Sequence, residues 1–135
     1  MHDLLEQYIL KNNIFYHYNI VPGHTKVKVD WKKTMFTAFL RHTVFQKVEY
    51  YFFYFDRLKI ALYQYQDCCF FGDVVFIPWH EISHFQYKKG FLEVKISFVF
   101  KNEKFEMMLS RKMRGEDWVS ENMKYLLENQ FFYNG

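Results

Sequence analysis

The fold is decided by the stretch FQYKKGFLEVKISFVFKNEKFEMML, residues 85–109. Apolar and polar residues alternate along residues 92–100 and again along residues 105–109, which is the period of strands with one buried face. Gly90 and the step Lys101-Asn102-Glu103 separate these runs and are typical of hairpin turns. The stretch therefore predicts a meander of three antiparallel strands.

More strands are predicted upstream of the meander. The extended segments are residues 14–21, a strand from about residue 26, and residues 43–55, 58–65 and 73–77. Pro22-Gly23 is predicted to be a turn that reverses the chain, and residues 66–72 are predicted to be a connection.

Two segments change to a helical period. Residues 3–12 place apolar side chains on one face behind a possible N-cap, Asp3, and residues 116–129 carry a second apolar stripe, with Trp118 expected in the core. The predicted fold class is mainly β (α+β). We expect an antiparallel, partly open β-barrel or roll of about seven strands, capped by a C-terminal helix and preceded by a short N-terminal helix. Residues 1–135 form one domain, with residues 1–13 as a helical extension.

The aromatic content is high for so small a domain. Phe, Tyr and Trp make up 23% of the 135 residues, more rings than one small core is expected to hold. An exposed aromatic patch is typical of a contact surface. The candidate contact residues are Tyr50, Phe52 and Tyr54 on the strand Tyr50–Phe55, together with Trp79.

The charge pattern gives a weaker indication. The formal net charge of +3 does not by itself predict nucleic acid or anionic lipid as a partner. Basic residues cluster between residues 24 and 41, and the candidates for a phosphate or acidic ligand are Lys26, Lys28, Lys32 and Lys33. Solvated basic strands explain the same cluster.

Several features predict a cytoplasmic protein. Cys68 and Cys69 are adjacent, which disfavours a structural disulfide, and we expect two reduced thiols. The start Met1-His2-Asp3 lacks the basic and apolar regions of a signal peptide, and no apolar run approaches the length of a membrane span.

The motif His80-Glu81-Ile82-Ser83-His84 matches the zinc-peptidase pattern H-E-x-x-H. In that chemistry His80 and His84 would bind the metal and Glu81 would activate water. The pattern requires a helix, whereas the flanking residues predict extended chain. A zinc-dependent hydrolase is therefore the alternative function, and the leading prediction contains no metal and no cofactor.

The segment VVFIPWHEI, residues 74–82, is followed by Phe85, Lys89-Gly90, the two strands of the meander and the helical stripe from Trp118 to Leu127. Over about residues 58–130 this order resembles bacterial pleckstrin-homology and GRAM-like domains. The resemblance implies a non-enzymatic scaffold for protein contacts, oligomerisation or, in some members, phosphoinositide binding. Lipid-binding members cluster Lys and Arg in the first hairpin, for which the four candidate lysines are a loose analogue.

The leading prediction is a cytoplasmic binding or assembly module that acts through protein contacts and self-associates into a homo-oligomer. Binding of phosphoinositide or another anionic lipid is a lesser alternative. Aromatic residues interleaved with lysine over residues 47–59 also suggest single-stranded nucleic acid, although the modest net charge disfavours it.

Overall fold

The structure, a computed structural model, describes residues 2–26, 48–66 and 69–133. Within these residues seven strands form one antiparallel sheet in the order β4-β3-β2-β1-β7-β6-β5. The elements are α1 (His2–Asn12), β1 (Ile20–Lys26), β2 (Val48–Phe55), β3 (Lys59–Gln66), β4 (Cys69–Pro78), β5 (Ile82–Lys89), β6 (Glu93–Phe100), β7 (Glu103–Ser110) and α2 (Asp117–Glu128). The predicted fold class is confirmed.

The two edge strands of the sheet are consecutive in sequence, which forces the sheet to curl. β4 ends at Pro78 and β5 begins at Ile82, with the 3-10 turn Trp79–Glu81 between them. Four residue steps reach at most about 14 Å. A flat sheet of this size would hold its edges roughly 29 Å apart. The sheet therefore rolls up at this corner into a partly open barrel.

The inner face of the roll holds an apolar cluster, here called the inner core. Its members come from both halves of the sheet, from α2 and from the 3-10 turn Gln130–Phe132. Completely buried examples are Phe53, Phe55, Phe98, Met123, Leu126 and Phe131. Burial of each such side chain stabilises the fold by about 1.5–3 kcal/mol.

The outer face of β1, β2 and β3 is covered by α1, and the helix predicted for residues 3–12 is confirmed. Leu5 and Tyr8 pack there with Phe52 and Tyr63, and the Tyr8 and Phe52 ring centroids are 5.3 Å apart. We call this second cluster the outer core. Because both faces of β2 are covered, its sequence is aromatic on both faces instead of alternating with polar residues.

α2 packs on the roll through a buried stripe that includes Val119 and Met123. Asn122 is completely buried on the same helix, and its side-chain amide donates to the carbonyl oxygen of Ile20 and to the hydroxyl of Tyr16, each at 2.8 Å. These bonds tie α2 to β1 and to the segment that precedes it. No described helix is long and apolar enough to cross a bilayer.

The chain after α2 makes a left-handed turn. Gln130, Phe131 and Phe132 have φ values of 50°, 55° and 62°. This region disfavours bulky residues by about 1–2 kcal/mol each. The Phe131 ring is completely buried, 5.0 Å from Phe55 and 6.0 Å from Phe85 between centroids. Its burial offsets the backbone strain and completes the inner core.

The predicted turn at Pro22-Gly23 is wrong. Both residues lie inside β1 and pair with β2, and pairing with β7 begins at Gly23. A Cβ atom on Gly23 would lie 2.5 Å from the carbonyl oxygen of Met108 and 2.8 Å from the ring of Phe53. Glycine is therefore needed for the close approach of two strands and not for a reversal of the chain.

Two other expectations are corrected. The predicted connection over residues 66–72 overlaps β4, which begins at Cys69. Trp118 is only partly buried and packs against the outer core, with its ring 5.6 Å from that of His2. The predicted basic strand beyond Lys26 lies outside the described residues.

Candidate protein-interaction surface

Three of the four aromatic side chains predicted to be exposed are buried. Phe52 and Tyr54 belong to the outer core and Trp79 belongs to the inner core, with exposures of 0%, 7% and 6%. Of the four, Tyr50 alone is exposed, at 51%. The expectation of an exposed aromatic strand is therefore wrong for Phe52, Tyr54 and Trp79, because two packed faces accommodate the rings.

Asp56 fixes the turn between β2 and β3. One carboxylate oxygen accepts the backbone N–H groups of Leu58 at 2.7 Å and Lys59 at 2.8 Å. The other accepts the Tyr54 hydroxyl at 2.9 Å and the Lys59 ammonium at 3.1 Å. Burial raises the pKa of Asp56, but these hydrogen bonds outweigh burial and lower it below its usual value. Trp79 Nε1 donates to the backbone carbonyl of Asp56 at 2.6 Å. Asp56 therefore has a structural role in this turn.

Three of the four candidate lysines lie outside the described residues. Lys26 is the last residue of β1, and its backbone pairs with Val48. Lys28, Lys32 and Lys33 lie outside the described residues. A basic ligand site formed by these lysines stays a prediction.

The H-E-x-x-H motif is divided between two elements. His80 and Glu81 lie in the 3-10 turn, whereas His84 lies in β5 with φ 56°, where the pairing with β6 shifts register. Two histidines four residues apart converge on a metal when they share a helix face. That helix is absent from the described part of the chain, and the zinc hydrolase stays a prediction without the geometry it requires.

One close group of ligand-type side chains is found among residues 2–26, 48–66 and 69–133, and it lies elsewhere. It consists of His2, Asp3 and Glu6 on the first turns of α1, all exposed or nearly so. His2 Nδ1 is 3.4 Å from the Glu6 carboxylate, so the group is explained by a surface contact between side chains one turn of α1 apart.

The free edge of β4 carries two exposed apolar side chains. β4 pairs with β3, and no described strand pairs with its other side. Val75 and Phe76 are 42% and 55% exposed. Val75 alternates inward like Ile77 of the inner core, and Phe76 alternates outward like Val74, which packs on the outer core. Residues 74–78 carry no charge. An edge of this kind is a template for pairing with another strand.

The opposite edge of the sheet, β5, has features that block such pairing. It contains a register shift between Ser83 and Gln86, and His84 in that interval is left-handed. Its end carries Lys88 and Lys89, both exposed. A bulge and edge lysines are the usual protection of a free strand. The two edges therefore differ, and β4 is the one open to a partner.

No family model, curated protein or solved structure matches the chain significantly. The function must therefore be inferred from the residues of the chain.

The sequence pattern predicts a strand at residues 73–77 but does not show that it is an edge strand, because the edge position depends on the strand order. The local signal was the uncharged run Val74-Val75-Phe76-Ile77.

Proposed function

We propose that this chain is a non-enzymatic assembly module that self-associates by pairing the β4 edges of two copies. The supporting observation is the uncharged run Val74–Ile77, in which Val75 and Phe76 are exposed, at the edge of a sheet whose other edge is protected. Antiparallel pairing about a two-fold axis satisfies the free backbone groups of both copies at once. One continuous sheet then runs through both protomers.

The β4 edge is compatible with a second copy of itself. With the two-fold axis at Val75, this residue meets Val75 of the second copy and Phe76 meets Val74 of the second copy, and aromatic and β-branched cross-strand pairs contribute roughly 0.2–1 kcal/mol each. Pairing of two β5 edges is instead disfavoured by the register shift between Ser83 and Gln86 and by the exposed lysines Lys88 and Lys89 on that edge. The bulge and the edge lysines of β5 therefore favour β4 as the contact.

The expected dimer is weak. Each intermolecular backbone hydrogen bond contributes a net stabilisation of about 0.5–1.5 kcal/mol. A contact over one short strand buries less than the roughly 1,200 Å² of total surface typical of stable complexes. We expect a reversible dimer with a dissociation constant between about micromolar and about millimolar.

This function agrees with the resemblance to pleckstrin-homology and GRAM-like domains, which implies a non-enzymatic scaffold. The proposal places the module in the cytoplasm, where the adjacent Cys68 and Cys69 stay reduced.

The test is sedimentation velocity over a wide range of protein concentration. The wild type should dimerise, and the double variant Val75→Lys/Phe76→Lys should stay monomeric because charged side chains then face each other at the edge. The matched control is Leu10→Lys/Leu58→Lys, which adds the same charge at side chains that are 80% and 75% exposed. The control should dimerise like the wild type.

Two results would refute β4 pairing. A wild type that is monomeric at millimolar concentration removes self-association altogether. A dimer that persists in the edge variant, with melting temperatures showing that every variant is folded, places the interface elsewhere.

A further inference from the structure

The hairpin between β5 and β6 ends in two large apolar side chains. Gly90 and Glu93 close the turn, with the Gly90 N–H donating to the Glu93 carbonyl oxygen at 2.8 Å. Phe91 and Leu92 form the tip and are 77% and 57% exposed. Tight turns favour Gly, Asn and Asp. Because neither the turn nor the core requires Phe91 and Leu92, these side chains are available for a contact outside the chain.

The tip is held in place by the residues that follow β7. The Arg111 backbone N–H donates to the Leu92 carbonyl and its guanidinium donates to the Gly90 carbonyl, both at 2.8 Å. The Lys112 ammonium lies 4.6 Å from the centroid of the Phe91 ring. The apolar pair is thus presented in a fixed orientation, which lowers the entropic cost of binding.

Cations surround this apolar pair. Lys88 and Lys89 end the β5 arm, and Arg111 and Lys112 lie beside the turn as described. Lys88, Lys89 and Lys112 are exposed, while the acid at the base of the turn, Glu93, is partly buried. The tip therefore combines a small apolar surface with positive charge around it.

We propose that the β5–β6 tip docks on the surface of an anionic bilayer. Phe91 and Leu92 enter the boundary between headgroups and acyl chains, and the surrounding cations meet the lipid phosphates. A protein partner is a poorer fit, because two side chains supply far less than the roughly 800 Å² per partner of a standard protein interface. The tip uses none of the residues of the β4 edge, so the two proposals are independent.

The first test is co-flotation with vesicles of phosphatidylcholine, with or without phosphatidylserine. The wild type should bind the anionic vesicles, and binding should weaken as salt is added. The variant Phe91→Ser/Leu92→Ser should bind at least about tenfold more weakly, because it removes both apolar side chains. The matched control Leu58→Ser changes an apolar side chain of similar exposure on another turn and should bind like the wild type.

The second test locates the contact. Phe91→Trp should show a blue shift and quenching by brominated acyl chains when anionic vesicles are added, and Leu58→Trp should show neither. Soluble glycerophosphoserine should not compete, because the contact requires a bilayer.

Three results would overturn the proposal. The first is no binding to anionic vesicles. The second is equal binding by the Phe91→Ser/Leu92→Ser variant, which would place the contact elsewhere. The third is displacement by glycerophosphoserine, which would indicate a headgroup pocket. Circular dichroism melts of every variant confirm that a loss of binding does not reflect unfolding.

Discussion

Replacement of Phe131 separates the burial of its ring from the strain of its backbone. Phe131→Ala removes a completely buried ring and should lower the free energy of unfolding by about 3–5 kcal/mol. Phe131→Gly removes the same ring but relaxes the φ of 55°. That relief is about 1–2 kcal/mol, reduced by roughly 0.4–1 kcal/mol for the freer unfolded chain. We therefore expect the Gly variant to be more stable than the Ala variant by up to about 1.6 kcal/mol, the reverse of the usual order for residues with negative φ.

The measurement is urea unfolding at equilibrium, followed by both circular dichroism and tryptophan fluorescence. A loss of this size is a large part of the roughly 5–15 kcal/mol typical of a domain, so Phe131→Leu serves as a milder variant if Phe131→Ala does not fold. Phe15→Ala, at a side chain that is 80% exposed, is the control and should stay within about 0.5 kcal/mol of the wild type. A Gly variant less stable than the Ala variant would refute the strain, and an Ala variant within 1 kcal/mol or so of the wild type would refute the burial.

Three further predictions follow from the backbone and the buried tyrosines. Gly23→Ala should lower the free energy of unfolding by about 2 kcal/mol or more, because its Cβ would overlap the β7 backbone; a wild-type melting temperature would contradict this close approach. Lys101→Asn with Asn102→Gly should stabilise the protein by about 0.5–1 kcal/mol, since φ values of 52° and 63° suit that pair; an unchanged urea midpoint would count against it. Burial, together with the nearby Tyr50 and Tyr8, raises the pKa of Tyr65 to about 12 from 10.0, so its contribution to stability is complete below pH 10 and is lost as the pH rises through 12. Alkaline unfolding monitored by circular dichroism and phenolate absorbance should show a shallower pH dependence in Tyr65→Phe, and identical curves would rule this contribution out.

The fold was predictable wherever the determining signal is local. β6 and β7 lie where alternation and the intervening turn predicted them, and α2 lies within one residue at each end of the predicted helix. In these segments one face is buried and the other is exposed to solvent. The spacing of apolar residues in the sequence therefore predicts whether the segment is a strand or a helix.

The errors arose where distant segments determine the structure. Gly23 resembles a turn residue, but the atoms that require it belong to Met108 and Phe53. Phe52 was expected to be exposed because the local pattern does not reveal that α1 covers the outer face of β2. The free edge of β4 depends on the order of strands across the whole sheet. The candidate surface was therefore less predictable than the fold.

The short pairing of β1 with β7 has a consequence for the kinetics of folding. It joins residues 23–25 to residues 107–109 and is the connection between the two halves of the sheet, β4-β3-β2-β1 and β7-β6-β5. Each half consists of strands that follow one another in sequence, whereas their union must close a longer loop before any contact offsets the lost chain entropy. We expect this union to be the late step of folding, and until it forms the apolar strands of both halves are open to aggregation.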